Sequence, residues 1–395
     1  MNHIINLRPF REFLRSGSAG GIILLFCVII SLLVANSPLG AHFERFLASE
    51  WGVHTEQLHL RYSVLLWIND GLMAIFFLMV GLEIKRELVE GELSSPKKAA
   101  LPILAAIGGV LVPATIYTLF NSGMPTAAGW GIPMATDIAF ALAIITMLGK
   151  NVPASLKVFL AALAIVDDLV AILVIAIFYT SELHFTYLMY ALGLFALLLL
   201  FNRFGVKRIY LYLIPGLFIW YFVHQSGIHA TIAGVLVAMT LPTTPDAKES
   251  PLEKLEHLLV KPVNFIIMPI FALANTNIRF QEEMFYGLFT PLGLGIILGL
   301  VIGKPVGITV ISWLAVKLRL CTMPDDATWF HIIGVGFLAG IGFTMSIFIA
   351  LLSFTGQELL MAEAKFSVLV ASVLSGTLGA LLLSRIARKA NGKSR

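Results

Sequence analysis

Charge is what this sequence has least of. Its 395 residues carry 27 Lys or Arg and 23 Asp or Glu, 13% in all, against about 25% in an ordinary soluble domain. A chain of this length folded in water must cover a large surface with charge, and this one has too little. Cysteine is nearly missing as well. Cys27 and Cys321 stand far apart, which excludes a disulfide framework and gives no zinc-site spacing. A hydrophobic share of 58% excludes disorder and collagen-like repeats. The net charge of +4 is too small to signal a nucleic-acid partner. The placement of the charges is more informative than their sum.

What fills the chain instead is a series of long apolar stretches, each able to cross a hydrocarbon core of about 30 Å. Twelve are read: 19–35, 65–82, 100–120, 132–148, 156–179, 185–201, 209–223, 228–241, 263–278, 292–316, 330–354 and 366–383. The first follows Arg8, Arg11 and Arg15, but it is longer than the core of a signal peptide and no small-residue cleavage pattern follows. It is therefore read as a membrane span. In the twelve-span reading, 22 of the 27 basic residues fall on one face and four (Arg45, Arg61, Arg279 and Lys365) on the other. The positive-inside rule then predicts both termini in the cytoplasm and an even number of spans. The expected fold is an all-α polytopic membrane protein of about twelve helices, one transporter domain over residues 1–395. The longest polar gaps are short. One predicts a small hairpin at about 48–62; the other, with Pro242, Pro245 and Pro251, predicts a cytoplasmic linker into a helix.

Four charges fall well inside the spans, Asp137, Asp167, Asp168 and Lys304, while Asp70 and Glu83 sit nearer the ends of the second span. An aspartate at mid-span costs about 2.5–3.5 kcal/mol on insertion, and such a residue marks function by default. Asp167 and Asp168 are adjacent, so they point about 100° apart on a helix and can share one cleft. Two carboxylates that close in a low dielectric cannot both ionise freely, and they titrate as a unit. The pair can hold protons or a small hard cation, but not both. Lys304 follows Gly303 without the spacing of a phosphate loop, and its span continues on both sides.

Two spans look interrupted. Asp137 follows Pro133 in Gly131-Ile132-Pro133-Met134-Ala135-Thr136-Asp137, and a later span holds Gly334-Val335-Gly336 and Gly340-Ile341-Gly342. Irregular backbone is tolerated at membrane depth where it lines a cavity. Matching breaks in two inverted repeats place half-helix ends at the midplane. The repeats are predicted at about 100–180 and 292–384, with the two discontinuous helices crossing. Asp137 would then offset the paired N-terminal dipole ends and Lys304 the paired C-terminal ends. Gly295, Gly299 and Gly303 read as packing glycines. His229 opens a short span, while His257 follows Glu253 and Glu256 on the basic face. Histidine titrates near physiological pH.

Taken together, several stretches resemble the NhaA-type bacterial sodium/proton antiporters, over essentially the whole chain. They are Phe76–Glu83, Ala135–Ala141, Ala164–Asp168, Gly227–Thr231, Leu255–His257, Ile302–Pro305 and Gly340–Ser346. The resemblance implies that Asp167, Asp168 and Thr136 form the Na+ or Li+ site. It implies that Asp137 and Lys304 compensate broken-helix charge or carry a proton, with Gly340 and Gly342 in the second break. It links Glu83, His229, Glu256 and His257 to pH regulation. One departure is Val260, where family members can carry a second histidine. The resemblance further implies electrogenic exchange of Na+ or Li+ for protons, no enzyme activity, no cofactor, a homodimer through the hairpin, lipid contact and the bacterial inner membrane. Whether Asp167 or Lys304 carries the extra proton is left open. Among rivals, an intramembrane aspartyl protease would need a Gly-x-Gly-Asp motif. A prenyltransferase would need further acids after Asp168. The sequence has neither. A sodium-coupled solute symporter is the remaining alternative.

Overall fold

A computed structural model describes residues 18–55, 59–149, 152–180, 183–243 and 250–392. Several basic residues of the topology reading lie outside these residues: Arg8, Arg11, Arg15, Lys150, Lys248, Lys393 and Arg395. So do the hairpin tip at 56–58 and Pro245 of the linker.

The apolar stretches all fold as helix, because in hydrocarbon a helix alone satisfies every backbone group within its own segment. In chain order they are α1 (Ala19–Ala35) and α2 (Gly40–Ala48), then a β-hairpin, then α3 (Val64–Val89) and α4 (Pro96–Asn121). A 3-10 segment, Pro125–Met134, leads into α5 (Ile138–Met147). Next come α6 (Ala154–Phe178), α7 (Phe185–Arg203), α8 (Tyr210–Gln225) and α9 (Ile232–Thr240). The series ends with α10 (Pro251–Asn275), α11 (Glu282–Gly287), α12 (Pro291–Lys317), α13 (Trp329–Ala339), α14 (Phe343–Ser353) and α15 (Glu358–Gly392).

Among the described residues, eight helical spans are long and apolar enough to cross a membrane alone, and two bent pairs raise the number to ten. The all-α polytopic fold is as expected, and a count by length falls short of about twelve because two of the stretches form short helices. The helices α8 and α9 have 16 and 9 residues, below the roughly 17–25 of a full crossing. The bent pairs are α1 with α2, at 108°, and α13 with α14, at 46°. Strands β1 (Glu50–His54) and β2 (His59–Ser63) pair antiparallel between α2 and α3.

Local signals fix the helix starts. Ser250 and Glu253 form a capping box at α10, with Pro251 in its first turn. Thr290 caps α12 ahead of Pro291, and Ser63 accepts from the Leu66 N–H at the start of α3. Such caps satisfy orphan N–H groups. Three helices carry a π turn: Trp67–Leu72 in α3, Val263–Ile267 in α10 and Gly299–Gly303 in α12. Each inserts an extra residue and re-aims the side chains that follow.

Among the described residues, two large apolar clusters organise most of the packing, and a small third one gathers Ile278, Met284 and Phe366. The first surrounds the interrupted spans and includes Phe77, Tyr117, Phe271 and Phe348. The second joins α7, α8 and α9 to α3 and α10, through Leu198, Tyr212, Val237 and Leu82. The helices α4 and α12 touch backbone to backbone. A Cβ on Gly307 would lie 2.0 Å from the Gly108 carbonyl oxygen, and one on Gly108 would lie 2.2 Å from that of Gly307. Glycine is therefore obligatory there. Replacing Gly307 with Leu should force the two helices apart at a cost of about 1–3 kcal/mol. A lowered thermal unfolding midpoint in detergent checks it, and an unchanged midpoint refutes it.

Candidate functional site

The first interruption comes where Pro133 ends the 3-10 segment and the chain runs extended through Ala135 and Asp137 into α5. The second lies at Gly340–Gly342, between α13 and α14. It is narrower than the sequence reading. Gly334 and Gly336 sit within regular α13, where a Cβ on Gly336 would meet Pro305 Cα at 2.8 Å. Nor do Gly340 and Gly342 provide an unusual turn, since both have ordinary negative φ. They provide room. A Cβ on Gly340 would meet the Leu300 carbonyl oxygen at 2.4 Å, and one on Gly342 would meet Ser346 Oγ at 2.1 Å.

The two breaks meet. The Asp137 N–H donates to the Ile341 carbonyl at 2.6 Å, and Ser346 Oγ donates to the Ile132 carbonyl at 2.7 Å. Asp137 lies at two helix N-termini at once. Its Oδ1 accepts from the Phe140 N–H of α5 at 3.0 Å. Its Oδ2 accepts from the Thr344 N–H at 3.1 Å and from Thr344 Oγ1 at 2.5 Å, in the first turn of α14. A carboxylate there offsets two positive dipole ends.

Lys304 lies on the other side of the crossing, where the π turn of α12 ends. It is fully buried, and its Nζ donates to the Met134 carbonyl at the C-terminal end of the 3-10 segment. The same Nζ is 2.8 Å from Asp167 Oδ2. Thr136 Oγ1 is 2.5 Å from Asp167 Oδ2 and 3.0 Å from the Ala339 carbonyl that ends α13. One hydroxyl has one proton, so it serves one acceptor at a time.

Asp167 and Asp168 are buried on α6, at 1% and 2% exposure. Asp167 Oδ1 and Asp168 Oδ1 have no hydrogen-bond partner among the described residues. Buried carboxylate oxygens are rarely left so. Together with the Thr136 hydroxyl and backbone carbonyls they make an all-oxygen donor set, which suits a hard cation rather than a soft transition metal.

The structure thus brings Thr136, Asp137, Asp167, Asp168 and Lys304 together with the two breaks. The remaining sequence candidates divide into two places. Glu83 on α3 lies within electrostatic range of Asp168, and also of Arg86, Glu87 and Glu256. Glu256 on α10 holds Arg86 Nε through both carboxylate oxygens, at 3.1 and 3.0 Å. His257, next to it, is exposed. His229 is elsewhere, stacked on Phe348 of α14 and 3.7 Å from Asp70. Sequence reasoning missed Thr344, Arg86 and His224. Thr344 lies within the stretch used for the resemblance, and Arg86 falls three residues after Glu83 on one helix face. His224 carried no signal beyond its residue type.

The chain is similar to known proteins over nearly its whole length. The family described as Na+/H+ antiporter 1 matches residues 11–383. A protein named Na(+)/H(+) antiporter NhaA 2 from Flavobacterium johnsoniae is 66% identical over 385 residues, covering 97% of this chain and 94% of its own. The NhaA antiporter of Dechloromonas aromatica is 51% identical, over 95% of this chain and 96% of its own. That of Caulobacter vibrioides is 48% identical, over 98% and 94%. A family match over nearly the whole chain, with relatives this similar, places the protein: it belongs to the Na+/H+ antiporter 1 family.

Proposed function

We propose that this multi-pass membrane protein exchanges Na+ for protons by alternating access around Asp167 and Asp168. The observation that carries this reading is the pair of unpartnered carboxylate oxygens beside the Lys304–Asp167 ion pair. In the proton-loaded form, Lys304 is charged and bound to Asp167, and Asp168 holds a proton, so the three groups sum to zero. A sodium ion needs both carboxylates ionised. Its arrival displaces the proton of Asp168, breaks the Lys304 contact and lets Lys304 release a proton too. The site then carries one net negative charge with the cation included. Two protons inward per Na+ outward is therefore electrogenic. Thr136 and the Ala339 carbonyl supply further oxygens, and Li+ fits the same donor set.

The same reading keeps Asp137 out of the exchange, as the fixed counter-charge of two helix ends. Glu83, Glu256 and His257, with Arg86, form the pH-responsive face, and His229 a separate one. The inverted repeats at about 100–180 and 292–384 move against the rest of the chain. The protein works without a cofactor and without enzyme chemistry, as a lipid-embedded homodimer through the 48–62 hairpin, in the bacterial inner membrane with both termini cytoplasmic. There it regulates internal pH and sodium.

Replacing Asp168 with Asn should reduce exchange to the level of empty vesicles. Dequenching of a proton-gradient dye on adding Na+ to everted vesicles measures this, and retained Na+-driven proton flux rejects the mechanism. Uptake of an organic solute with Na+, without proton movement, would favour the symporter instead.

A Lys304→Ala variant should exchange ions one for one and lose its transport current in proteoliposomes. An unchanged current rules out Lys304 as the second proton carrier. The variant also strands Asp167, and a buried ion pair broken on one side costs about 3–5 kcal/mol. The double variant with Asp167→Asn should regain part of that stability.

A further inference from the structure

A second buried charge cluster lies away from the crossing. Asp70 sits in the π turn of α3. Its Oδ2 is 3.3 Å from His224 Nδ1 at the end of α8, and its Oδ1 is 3.7 Å from His229 Nδ1. One carboxylate thus serves two histidines. Aromatic rings close around the first of them. Trp220, one turn earlier on α8, lies nearly parallel to His224, with ring centroids 6.0 Å apart. Tyr62 of β2 meets His224 edge-on at 5.0 Å. Trp67 contacts both, at 5.9 Å from Tyr62 and 6.0 Å from Trp220. Trp220 Nε1 donates to the Asp70 carbonyl at 3.4 Å, and Trp67 Nε1 donates to the Trp51 carbonyl of β1 at 2.9 Å. The box therefore reaches from the base of the hairpin to the helix that carries Asp70.

We propose that His224 is a proton-operated clasp: protonated, it pins α8 to Asp70 of α3 and to the rings at the root of the β1–β2 hairpin, and neutral, it loosens α8 from that root. An imidazolium in this box gains a charge-assisted bond to Asp70 and the faces of electron-rich rings. A neutral imidazole keeps only its packing. Histidine is the side chain whose charge changes in the physiological range.

The groups that face it are few. Asp70 comes from α3, Tyr62 from β2 and His229 from the turn before α9. Tyr221, on α8 itself, interacts electrostatically with Tyr62. Gln225 Nε2 donates to Tyr62 Oη at 3.4 Å. On the α7 side, the His184 N–H donates to the Ser226 carbonyl at 2.9 Å.

His229 competes for the same carboxylate while its ring stacks on Phe348 of α14, 5.2 Å between centroids. Asp70 is thereby shared between the hairpin and the half-helix whose first turn holds Asp137. The clasp does not depend on the antiport mechanism. Only its placement on the outward face rests on the proposed orientation.

Tryptophan emission of the full-length protein in detergent, titrated from about pH 8 to pH 5, tests the clasp. A protonated imidazole quenches an indole stacked on it, so emission should fall reversibly on acidification. The change should vanish in His224→Gln and shrink strongly in Trp220→Phe. In Asp70→Asn, which removes the partner 3.3 Å from His224 Nδ1, it should weaken as well. A nitroxide at Val53, exposed on β1, should become more mobile as the pH rises. In His224→Gln it should be mobile throughout. An unchanged emission titration in His224→Gln overturns the proposal, as does label mobility independent of pH in the unmodified protein. So does a transition removed by His229→Gln but kept in His224→Gln. Gel filtration separates misfolding from either result, and Trp220→Phe leaves His224 itself in place.

Discussion

The contact between Lys304 and Asp167 is the one on which the rest of this structure depends. A fully buried ammonium is tolerable only with a counter-charge and satisfied hydrogens. Lys304 has the first in Asp167 and part of the second in the Met134 carbonyl. That carbonyl exists as a free acceptor only because Pro133 and the extended Ala135–Asp137 stretch interrupt the helix. The interruption in turn needs the second break beside it. Ile341 accepts the Asp137 N–H, and Ser346 satisfies the Ile132 carbonyl. Neither broken span is stable in hydrocarbon alone, since each would leave backbone groups unpaired. Each supplies what the other lacks.

Three buried aspartates lie within this small region, and their hydrogen bonds sort them. Asp137 accepts three donors from two helix ends and is held on every side that matters. A carboxylate so satisfied is suited to the fixed counter-charge proposed for it. Asp167 is half satisfied: Lys304 and Thr136 share its Oδ2, and its Oδ1 has no hydrogen-bond partner among the described residues. Asp168 is the least satisfied, with an orphan Oδ1 and a second carboxylate one residue away. The progression from clamped to free is what ion exchange needs. An acid bound by three donors gives up nothing to a passing cation, whereas an acid without a partner has everything to gain from a proton or a sodium ion. Burial alone does not distinguish the three, since all are at most 2% exposed.

Much of this was legible in the sequence, for identifiable reasons. Charged residues inside apolar runs are conspicuous, so Asp137, Asp167, Asp168 and Lys304 stood out at once. Proline and glycine punctuate a span, and they located both breaks. They set the edge of one too early, because Gly334 packs against Leu383 and Gly336 against Pro305 within a regular helix. Apolar composition does not reveal how short a helix is, and α9 has only nine residues. The π turns left no trace, since periodicity is read in windows longer than the single extra residue each inserts. Yet one carries Asp70 and another ends at Lys304. Partnerships between distant segments were equally hidden. Nothing in the sequence links Thr344 to Asp137, 207 residues apart, or Arg86 to Glu256, 170 apart.

Those hidden partnerships also explain why titratable groups that look alike in sequence serve different ends. Glu83 lies within range of both Asp168 and the Arg86–Glu256 pair, so a change of charge on the basic face is felt at the ion site by electrostatics alone. His229 reaches the crossing by another route, through a ring stacked on Phe348 in the half-helix that Asp137 caps. A through-space field falls off smoothly and is screened by salt where it meets water. A stacked ring in a packed interior transmits a displacement, because such interiors rearrange between discrete packings rather than deforming continuously. The two inputs therefore differ in kind. In the proposed mechanism, one sets how readily the carboxylates exchange their ions, and the other sets where the half-helix capped by Asp137 can rest.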